Sequence, residues 1–355
     1  MGKSESSEEE RNHIKWRIYR QIPILKRRVL VLYEELSEKS APWTDRIWAE
    51  VKAEIEALYK FADVFDVLGQ IHERREKIDN IVSSEESTQR EILLMYLFEL
   101  MEYMENYIGE RAKRCNVCGR DVFFTPIPAG YEILRKRYGF LYWNADFQLE
   151  SRENYGCPVC GAYDRDRLMI AFLEEVMAEN GEKLRMLQIA PSPAIERYAQ
   201  DREDIRYEST DLMMQNVSFR ADLQHMDMVG DETYDIIVCS HVLEHVENDV
   251  QAMEELYRTL KPNGLCLVLV PLIVGKMDTE EQWGCTPEEN WRRFGQGDHS
   301  RLYGKKDFIR RLQSVGFYVN ELGKEWFGEE FYGEYGFDDL SVMYVATKEI
   351  RLTGE

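Results

Sequence analysis

The fold is decided by Tyr234-Asp-Ile-Ile-Val-Cys-Ser-His-Val-Leu-Glu-His-Val-Glu-Asn-Asp249. Its first six residues form a short apolar run, rich in β-branched side chains and without polar alternation, which is typical of a strand buried on both faces. A helical pattern resumes near Asn248 or Asp249, and either residue can cap that helix. The stretch therefore predicts a central parallel strand, a polar loop at its carboxyl end and then a helix.

Further strands are predicted on both sides of this stretch. Downstream, Lys261-Pro-Asn-Gly264 predicts a turn that ends the helix, and residues 265–270 form another apolar strand. Upstream, residues 185–189 and 205–209 show the same strand pattern. Strands that alternate with helices predict an open parallel α/β sheet with helices on both faces.

Polar and small residues follow several of these strands at their carboxyl ends. In open parallel sheets, ligands bind beyond the carboxyl ends of the strands, at the point where the strand order reverses. We therefore expect one edge of the sheet to carry the ligand site. The residues predicted at that edge are Ala190, Pro191, Ser192, Asp211, Asp222 and the segment from Ser240 to His245.

From residue 185 to about residue 347 the chain resembles a class I S-adenosylmethionine-dependent methyltransferase, over roughly half of the sequence. Asp211 matches the acidic residue that follows the second strand of that family. Ala221-Asp-Leu223 resembles the segment beside the adenine. The residues from Ser240 to Val246 and the segment Leu256-Tyr-Arg-Thr-Leu-Lys-Pro-Asn-Gly264 are similar to the fourth-strand loop and the helix and turn that follow it.

The resemblance implies a Rossmann-like doubly wound sheet and S-adenosylmethionine as cofactor. It also implies that Asp211 accepts hydrogen bonds from the two ribose hydroxyls. The cofactor-binding residues that it implies are Ile189, Ala190, Pro191, Ser192, Asp211, Leu212, Asp222, Leu223, Ser240 and His241.

The first loop departs from the usual family pattern. It reads Ile189-Ala-Pro-Ser-Pro-Ala194, whereas most members carry two or three glycines there. The loop resembles a subgroup in which an Ala-Pro-x-Pro sequence replaces the glycines, often with a cysteine ribbon upstream. The alternative to an active enzyme is a catalytically inactive cofactor-binding or scaffold protein that acts through its other domains.

Two Cys-x-x-Cys-Gly motifs predict a zinc site. Cys115 and Cys118 form the first motif and Cys157 and Cys160 the second, with 38 residues between the motifs. The glycine after each pair lets the chain turn so that amides face the sulfurs, and four thiolates complete a closed tetrahedral site. A closed site leaves no open position for a reaction, so the zinc is expected to be structural.

The domain organisation follows from these patterns. A nearly glycine-free region with apolar residues every three or four positions predicts three helices, near 11–37, 44–82 and 88–112. Such a bundle either packs on the catalytic domain or forms a homodimer, or else recognises a protein partner or substrate. The predicted domains are a disordered tail (1–10), the helical bundle (11–113), the four-cysteine zinc ribbon (114–164) and the methyltransferase domain (165–350) with inserts at 272–304 and 325–340.

The second insert has an unusual composition. Residues 325–339 hold six acidic and six aromatic side chains between two predicted strands, near 317–320 and 342–346, that should pair as an antiparallel hairpin. One interpretation is a lid whose aromatic faces bind a sugar or an amine. The other is a packing element over the ribbon or the bundle.

The composition limits the partners. Lys and Arg total 45 against 66 acidic residues, which gives a net charge of −21. Such a surface repels phosphate backbones and argues against a nucleic-acid substrate. No apolar run reaches the roughly 18 to 20 residues that a membrane span needs. The acidic first ten residues do not resemble a signal peptide, so a cytoplasmic protein is expected.

Methyl transfer is an in-line displacement, in which the protein aligns the acceptor with the methyl group and removes a proton where the acceptor holds one. The candidate bases are His241, His245 and His299, with His299 preferred; His241 and His245 could instead shape the loop around the cofactor. The sequence His241-Val-Leu-Glu-His245 also matches an inverted zinc-peptidase motif, but that motif requires a helix and here a buried strand precedes it. The expected acceptor is a small or saccharide-like molecule.

Overall fold

The computed structural model describes residues 112–142, 147–151, 154–179, 183–276 and 278–349. The chain divides into two compact units. The first comprises Met1–Ala112 and Phe123–Ile133, and the second comprises Lys113–Val122 and Leu134–Glu355. The predicted tail and nearly all of the predicted helical bundle lie outside the described residues. None of the described helices is long and apolar enough to cross a membrane.

The described strands, in chain order, are β1 (Lys113–Arg114), β2 (Asp121–Val122), β3 (Leu184–Ile189), β4 (Ile205–Asp211), β5 (Phe219–Arg220), β6 (Tyr234–Ser240), β7 (Leu260–Leu269), β8 (Leu272–Ile273), β9 (Glu280–Glu281), β10 (Arg301–Gly304), β11 (Tyr318–Leu322) and β12 (Met343–Thr347). The described helices are α1 (Ala129–Arg137), α2 (Asp164–Glu179), α3 (Pro193–Gln200), α4 (Asp249–Thr259), α5 (Pro287–Phe294), α6 (Lys305–Ser314), α7 (Lys324–Phe327) and α8 (Glu329–Tyr335).

Seven strands form the central sheet in the order β11-β12-β7-β6-β3-β4-β5. The five strands from β7 to β5 are parallel, whereas β12 pairs antiparallel with both β7 and β11. The order reverses around β3, which pairs with β4 on one side and with β6 on the other. This arrangement confirms the predicted α/β Rossmann-like sheet and its terminal antiparallel hairpin, and it places the reversal point at the carboxyl ends of β3 and β6.

The central strand β6 is buried as its apolar sequence predicts. Ile236, Ile237, Val238 and Cys239 are each at most 1% exposed, because helices cover both faces of the sheet. The helix that follows begins where expected, since the Asn248 side chain accepts a hydrogen bond from the Gln251 amide at 3.1 Å and caps α4. These features hold the loop between β6 and α4 at a fixed place on the sheet edge.

The predicted turn at Lys261-Pro-Asn-Gly264 is wrong, because these residues lie within strand β7. The strand leaves helix α4 directly at Leu260, and its pairing with β6 jumps from Leu260 opposite Tyr234 to Leu265 opposite Ile236. The surplus residues form an irregularity inside the strand rather than a turn before it. Gly264 is needed there, since a Cβ atom would lie 2.8 Å from the Leu260 side chain.

The aromatic insert is a packing element. Helices α7 and α8 occupy it, and Tyr332 and Phe337 are buried in the main core. Phe331 stacks on Phe337 with ring centroids 5.7 Å apart. The Lys113 ammonium group, on the ribbon strand β1, donates to the Gly333 carbonyl at 2.6 Å. The insert therefore packs in the core of the sheet domain and contacts strand β1, and the lid interpretation is not supported.

The first insert forms a small sheet of its own in the order β8-β10-β9. It begins directly after β7 and ends at α6. Strand β10 is buried along its whole length. His299 lies two residues before β10, so the insert carries this histidine back to the edge of the central sheet.

Candidate active site

The first loop takes a left-handed turn without glycine. Ala190 has φ of +48°, and its amide donates to the Thr210 carbonyl at the end of β4 at 2.9 Å. This conformation costs a non-glycine residue roughly 1–2 kcal/mol. Pro191 and Ser192 follow, and Pro193 opens helix α3. The loop thus turns at the carboxyl end of β3, where the resemblance places the cofactor.

Side chains below the first loop fix its position. The Ser192 hydroxyl donates to Asp166 Oδ1 at 3.0 Å, and the Gln188 side-chain amide donates to the Ser192 hydroxyl at 3.3 Å. The Tyr207 hydroxyl donates in turn to Gln188 Oε1 at 2.9 Å. Sequence reasoning missed Asp166 and Gln188. A polar Gln188 inside an otherwise apolar strand was the available signal.

Asp211 ends strand β4, as predicted for a ribose-binding carboxylate. Its Oδ1 accepts hydrogen bonds from the amides of Met213 and Met214, at 2.6 and 2.7 Å. These two bonds fix the carboxylate in orientation and leave Oδ2 available to accept further hydrogen bonds. Leu212 is 54% exposed beside it, which makes an apolar surface available at the same edge.

Asp222 and Leu223 follow β5 on the far side of β4. The Asp222 carboxylate accepts from the Gln224 amide at 2.9 Å, and Leu223 is buried in the core. The segment is therefore held against the sheet next to Asp211, in the place where the resemblance puts the adenine. The Asp222 carboxylate therefore already accepts a hydrogen bond within this turn.

Two buried hydroxyls at this edge, Ser240 Oγ and Thr210 Oγ1, have no hydrogen-bond partner among the described residues. Ser240 ends β6 and Thr210 lies next to the end of β4. Buried polar atoms are almost always paired, so an unpaired one indicates a group that the chain alone does not supply. The edge thus fits a polar ligand such as S-adenosylmethionine.

His241 is the second non-glycine residue at this edge with a left-handed backbone, with φ of +57°. Its amide donates to the Leu269 carbonyl at 2.8 Å, which anchors the loop to β7. Residues 241–247 form turns and bends and not a helix. The inverted zinc-peptidase motif is therefore excluded on the geometry that it requires.

The three candidate histidines lie around one buried carboxyl group. Nδ1 of His241 is 3.5 Å from Glu244 Oε1, and Nε2 of His245 is 3.9 Å from the same oxygen. The rings of His245 and His299 meet edge to face, with centroids 4.7 Å apart. Glu244 is fully buried, and sequence reasoning did not assign it a role. The structure thus brings together residues separated by more than fifty positions.

Burial sets the protonation of this cluster. It lowers the pKa of His241 and of His299 well below the ordinary value, with help from nearby positive groups. It also raises the pKa of Glu244 to about 7, against the lowering effect of His245. Both histidines are therefore neutral at neutral pH and carry a lone pair, as a base or a metal ligand must.

The four predicted zinc ligands also lie together. The sulfurs of Cys115 and Cys160 are 3.7 Å apart, and those of Cys118 and Cys157 are 3.9 Å apart. Zinc–sulfur bonds of about 2.3 Å in a tetrahedron require sulfur separations of about 3.8 Å. The amides of Gly119 and Gly161 donate to the carbonyls of Cys115 and Cys157, so the two knuckles have the same turn. The donor set and its spacing are compatible with zinc.

Comparison with known proteins adds a family assignment. A family model described as a methyltransferase domain matches residues 102–322, well over half of the chain. The chain belongs to this methyltransferase-domain family. Its sheet order and its edge residues agree with the class I methyltransferase fold.

Individual relatives are distant. An O-methyltransferase of ubiquinone biosynthesis from Rickettsia bellii is 24% identical over 102 residues, covering 27% of this chain and 40% of that protein. The thiol S-methyltransferase TMT1B from Rattus norvegicus is 27% identical over 103 residues, covering 29% of this chain and 40% of that protein. The chain thus spans about two fifths of the length of the curated relatives it matches.

Solved structures of methyltransferases are similar as well. The CMeT domain of the citrinin polyketide synthase matches with a TM-score of 0.36 and 18% identity, covering 63% of this chain and 58% of that chain. A SAM-dependent methyltransferase from Archaeoglobus fulgidus matches with a TM-score of 0.34 and 13% identity, covering 52% of this chain and 94% of that chain.

Proposed function

We propose that this protein is an S-adenosylmethionine-dependent methyltransferase acting on a small or saccharide-like acceptor. The observation that carries the proposal is the convergence of Asp211, the first loop and the unpaired Ser240 hydroxyl at the reversal point of a methyltransferase-family sheet. Ligands bind at this point in open α/β sheets.

The cofactor would lie along the carboxyl edge from the first loop to β5. Asp211 would accept hydrogen bonds from the ribose through Oδ2, with Leu212, Asp222 and Leu223 beside the adenine. Ile189, Ala190, Pro191 and Ser192 would border the methionine part, with Ser240 and His241 at the other side. The bound cofactor supplies an electrophilic methyl group on a sulfonium. The chain contributes by holding an acceptor atom in line with it.

The loop from His241 to Glu247 would lie on the acceptor side of this arrangement. His299 is our preferred proton acceptor, because it is neutral and buried, and its Nδ1 has no hydrogen-bond partner among the described residues. His245 and His241 are the alternative bases. Removing the acceptor's proton as the new bond forms would keep the acceptor atom nucleophilic.

A cavity beside the first insert is compatible with a small polar acceptor. It measures about 270 Å³ and is lined by charged and polar side chains together with Trp283. Arg301, Arg311, Glu281 and Asp249 are among the lining residues. A polar pocket of this size suits a small hydroxylated molecule better than a large apolar one. The aromatic side chains of residues 325–339 pack within the protein. Their composition is therefore no longer a reason to expect a saccharide acceptor.

The cysteine cluster would hold a structural zinc ion within a ribbon at 114–164, followed by the methyltransferase domain at 165–350. Its four thiolates would close the coordination shell and leave no position for substrate. The Asn116 side chain donates to the Arg167 carbonyl on α2 at 2.8 Å, so this ribbon is fixed to the sheet domain by α2. On the basis of the sequence, we propose that residues 11–113 contact a protein partner or a second copy of the chain.

Calorimetric titration of the zinc-replete full chain with S-adenosylmethionine and S-adenosylhomocysteine tests the function. We expect micromolar binding, and we expect Asp211→Ala to weaken it at least about tenfold because two charge-assisted hydrogen bonds are lost. Asp227→Ala, an exposed carboxylate outside the site, is the matched control and should bind as the wild type does. A folded protein that binds neither compound would favour the alternative, a scaffold without catalytic activity.

A further inference from the structure

Glu244 is the most unusual buried group in the described part of the chain. It is 0% exposed, and neither of its carboxyl oxygens has a hydrogen-bond partner among the described residues. A buried polar group without a partner costs several kcal/mol, on the order of 2 to 7. Protonation does not solve the problem, because a neutral carboxyl group still has a donor and an acceptor to satisfy. A ligand from outside the chain would pair with these oxygens and remove this cost.

Imidazole nitrogens surround this carboxyl group. The donor atoms of Glu244, His245 and His299 all lie within 4.8 Å of one another. The separations given above for Glu244 are too long for hydrogen bonds. An ion at their centre would bring each donor to about 2.1 Å with a shift of less than about 1 Å. Nδ1 of His299 is also buried and without a partner among the residues described, so two of the three donors are unpaired.

A backbone carbonyl orients the His245 ring. Nδ1 of His245 lies 3.1 Å from the Asp298 carbonyl, and a ring that donates there carries its lone pair on Nε2, the nitrogen 3.9 Å from Glu244. Nδ1 of His299 has no such partner among the described residues and is free to face an ion. Metal-binding histidines characteristically donate their second nitrogen to a carbonyl or carboxylate in this way.

The loop that carries Glu244 is held rigidly. The buried guanidinium group of Arg301 donates to the carbonyls of Leu243, Val246 and Glu247 at 2.8 to 3.0 Å. The Ser300 amide donates to the Glu244 carbonyl at 2.9 Å. The loop and the segment that carries His299 are therefore fixed to each other, and the donor set is preorganised before any ion binds.

We propose that Glu244, His245 and His299 bind a divalent first-row transition-metal ion, such as Zn²⁺, Fe²⁺ or Mn²⁺, in a second metal site distinct from the four cysteines. Two imidazoles and one carboxylate leave coordination positions open, which is the pattern of reactive rather than structural sites. His241 lies at the edge of the set, 3.5 Å from Glu244 Oε1. Binding of the ion does not depend on the proposed function.

The consequence for the reaction does rest on the proposed methyltransferase activity. An ion here would lie on the acceptor side of the cofactor edge, where an acceptor oxygen could occupy an open position. Coordination would lower the pKa of that hydroxyl and make it a better nucleophile at neutral pH. His299 would then act as a ligand, and the proton of the coordinated hydroxyl would pass to solvent water instead of to His299.

Metal counting and Co²⁺ titration test the site on the full chain. First the protein is brought to one zinc ion per chain by dialysis against a weak chelator, and then Co²⁺ is added. We expect one further equivalent to bind with visible absorption but without the thiolate charge-transfer band that a cysteine site gives. A chain that retains two ions through dialysis supports the proposal equally. No second equivalent, or one with a thiolate band only, would overturn it.

Three variants assign the ligands. Glu244→Gln keeps the size and shape of the side chain but removes its negative charge. His245→Ala removes a partly exposed imidazole, and His299→Ala removes a buried one. We expect each to weaken Co²⁺ binding at least about tenfold, the lower end of losses seen when even a supporting group is removed. His225→Ala, an exposed histidine outside the cluster, should leave binding unchanged.

His245→Ala keeps the test valid if the two buried variants fail to fold. Unchanged Co²⁺ affinity in folded His245→Ala protein would overturn the ligand assignment. S-adenosylmethionine titration of the same samples separates the two proposals. Cofactor binding without a second ion contradicts only the metal site, and a second ion without cofactor binding contradicts only the proposed function.

Discussion

The cysteine cluster and the histidine–glutamate cluster differ in how their donors are satisfied. In the first, two pairs of sulfurs lie 3.7 and 3.9 Å apart across two equivalent glycine turns. In the second, a buried carboxyl group and a buried imidazole nitrogen lack partners among the described residues. A closed set of donors suits a structural ion, whereas an open set suits a ligand that exchanges. If both clusters bind ions, they would use metal-binding chemistry in opposite ways.

The largest expected effect comes from breaking the closed cluster. Cys157→Ser should release the structural zinc and unfold the ribbon, because an apo site leaves the remaining thiols without their ion. Metal counting and thermal unfolding would measure this. Cys285→Ser, at a cysteine outside the cluster, should keep the zinc. A Cys157→Ser protein with full zinc content and wild-type stability would contradict the assignment.

Arg301→Ala should have the next largest effect, because it removes the support of the open cluster. The free energy of unfolding should fall by about 3 kcal/mol, since a buried charged group with several partners is lost and three carbonyls are left unpaired. Urea denaturation measures the change. Arg292→Ala is the control, as its side chain is 59% exposed. A change much smaller than this, under about 1 kcal/mol, would show that the loop is held by other contacts.

Backbone conformation distinguishes the two regions as well. The cysteine knuckles place glycines at left-handed positions, with φ of +68° at Gly119 and +73° at Gly161, whereas the sheet edge places Ala190 and His241 there. Gly161→Ala should lower the free energy of unfolding by about 1–2 kcal/mol through backbone strain alone, since its added Cβ meets no described atom within 4 Å.

Ala190→Gly should change stability in the opposite direction. It relieves the same strain, partly offset by the greater freedom of glycine in the unfolded chain, so we expect a gain of less than about 1 kcal/mol. Paired urea curves for Gly161→Ala and Ala190→Gly measure both. Changes of the same sign would show that packing, and not backbone conformation, controls one of these positions.

The smallest expected effect is on the free energy of unfolding at acid pH, through carboxylates that pair with Arg301 and Arg311. Hydrogen bonds from Arg311 and Arg301 lower the pKa of Glu281 below its ordinary 4.5. Burial alone would raise the pKa of Asp307, but hydrogen bonds with Thr279, Arg311 and Arg310 hold it below 3.8. A depressed folded-state pKa stabilises the protein above the ordinary value, and this stabilisation is lost as the pH falls. Glu281→Gln, measured by urea denaturation across the acid range, should reduce the loss of stability between pH of about 5 and about 3.

Much of the central sheet could be predicted because its signals are local. The apolar run of β6, the cap at Asn248 and the knuckle glycines each act within a few residues. The turn predicted at Lys261 was wrong because β7 pairs with β6 on both sides of residues 261–264, which stay within the strand as an irregularity. Tertiary pairing there outweighed the turn preference of Pro262 and Gly264.

The open cluster could not be predicted as a unit for the same reason. Glu244 and His245 are adjacent, but His299 arrives through an insert whose path depends on the pairing of β8 with β10. The sequence identified all three histidines as candidates. It gave no sign that Glu244 would be buried without a partner among the described residues, because burial of one side chain depends on what packs over it.

Helix α2 gives the ribbon and the first loop a shared support. Asn116, between two of the cysteines, donates to the backbone carbonyl of Arg167, and the preceding residue of the helix, Asp166, accepts from Ser192 of the first loop. Adjacent residues of one helix therefore contact the first cysteine motif and the first loop. Any free energy that this connection transmits is reciprocal: cofactor would tighten the ribbon by the same amount that the ribbon tightens cofactor binding.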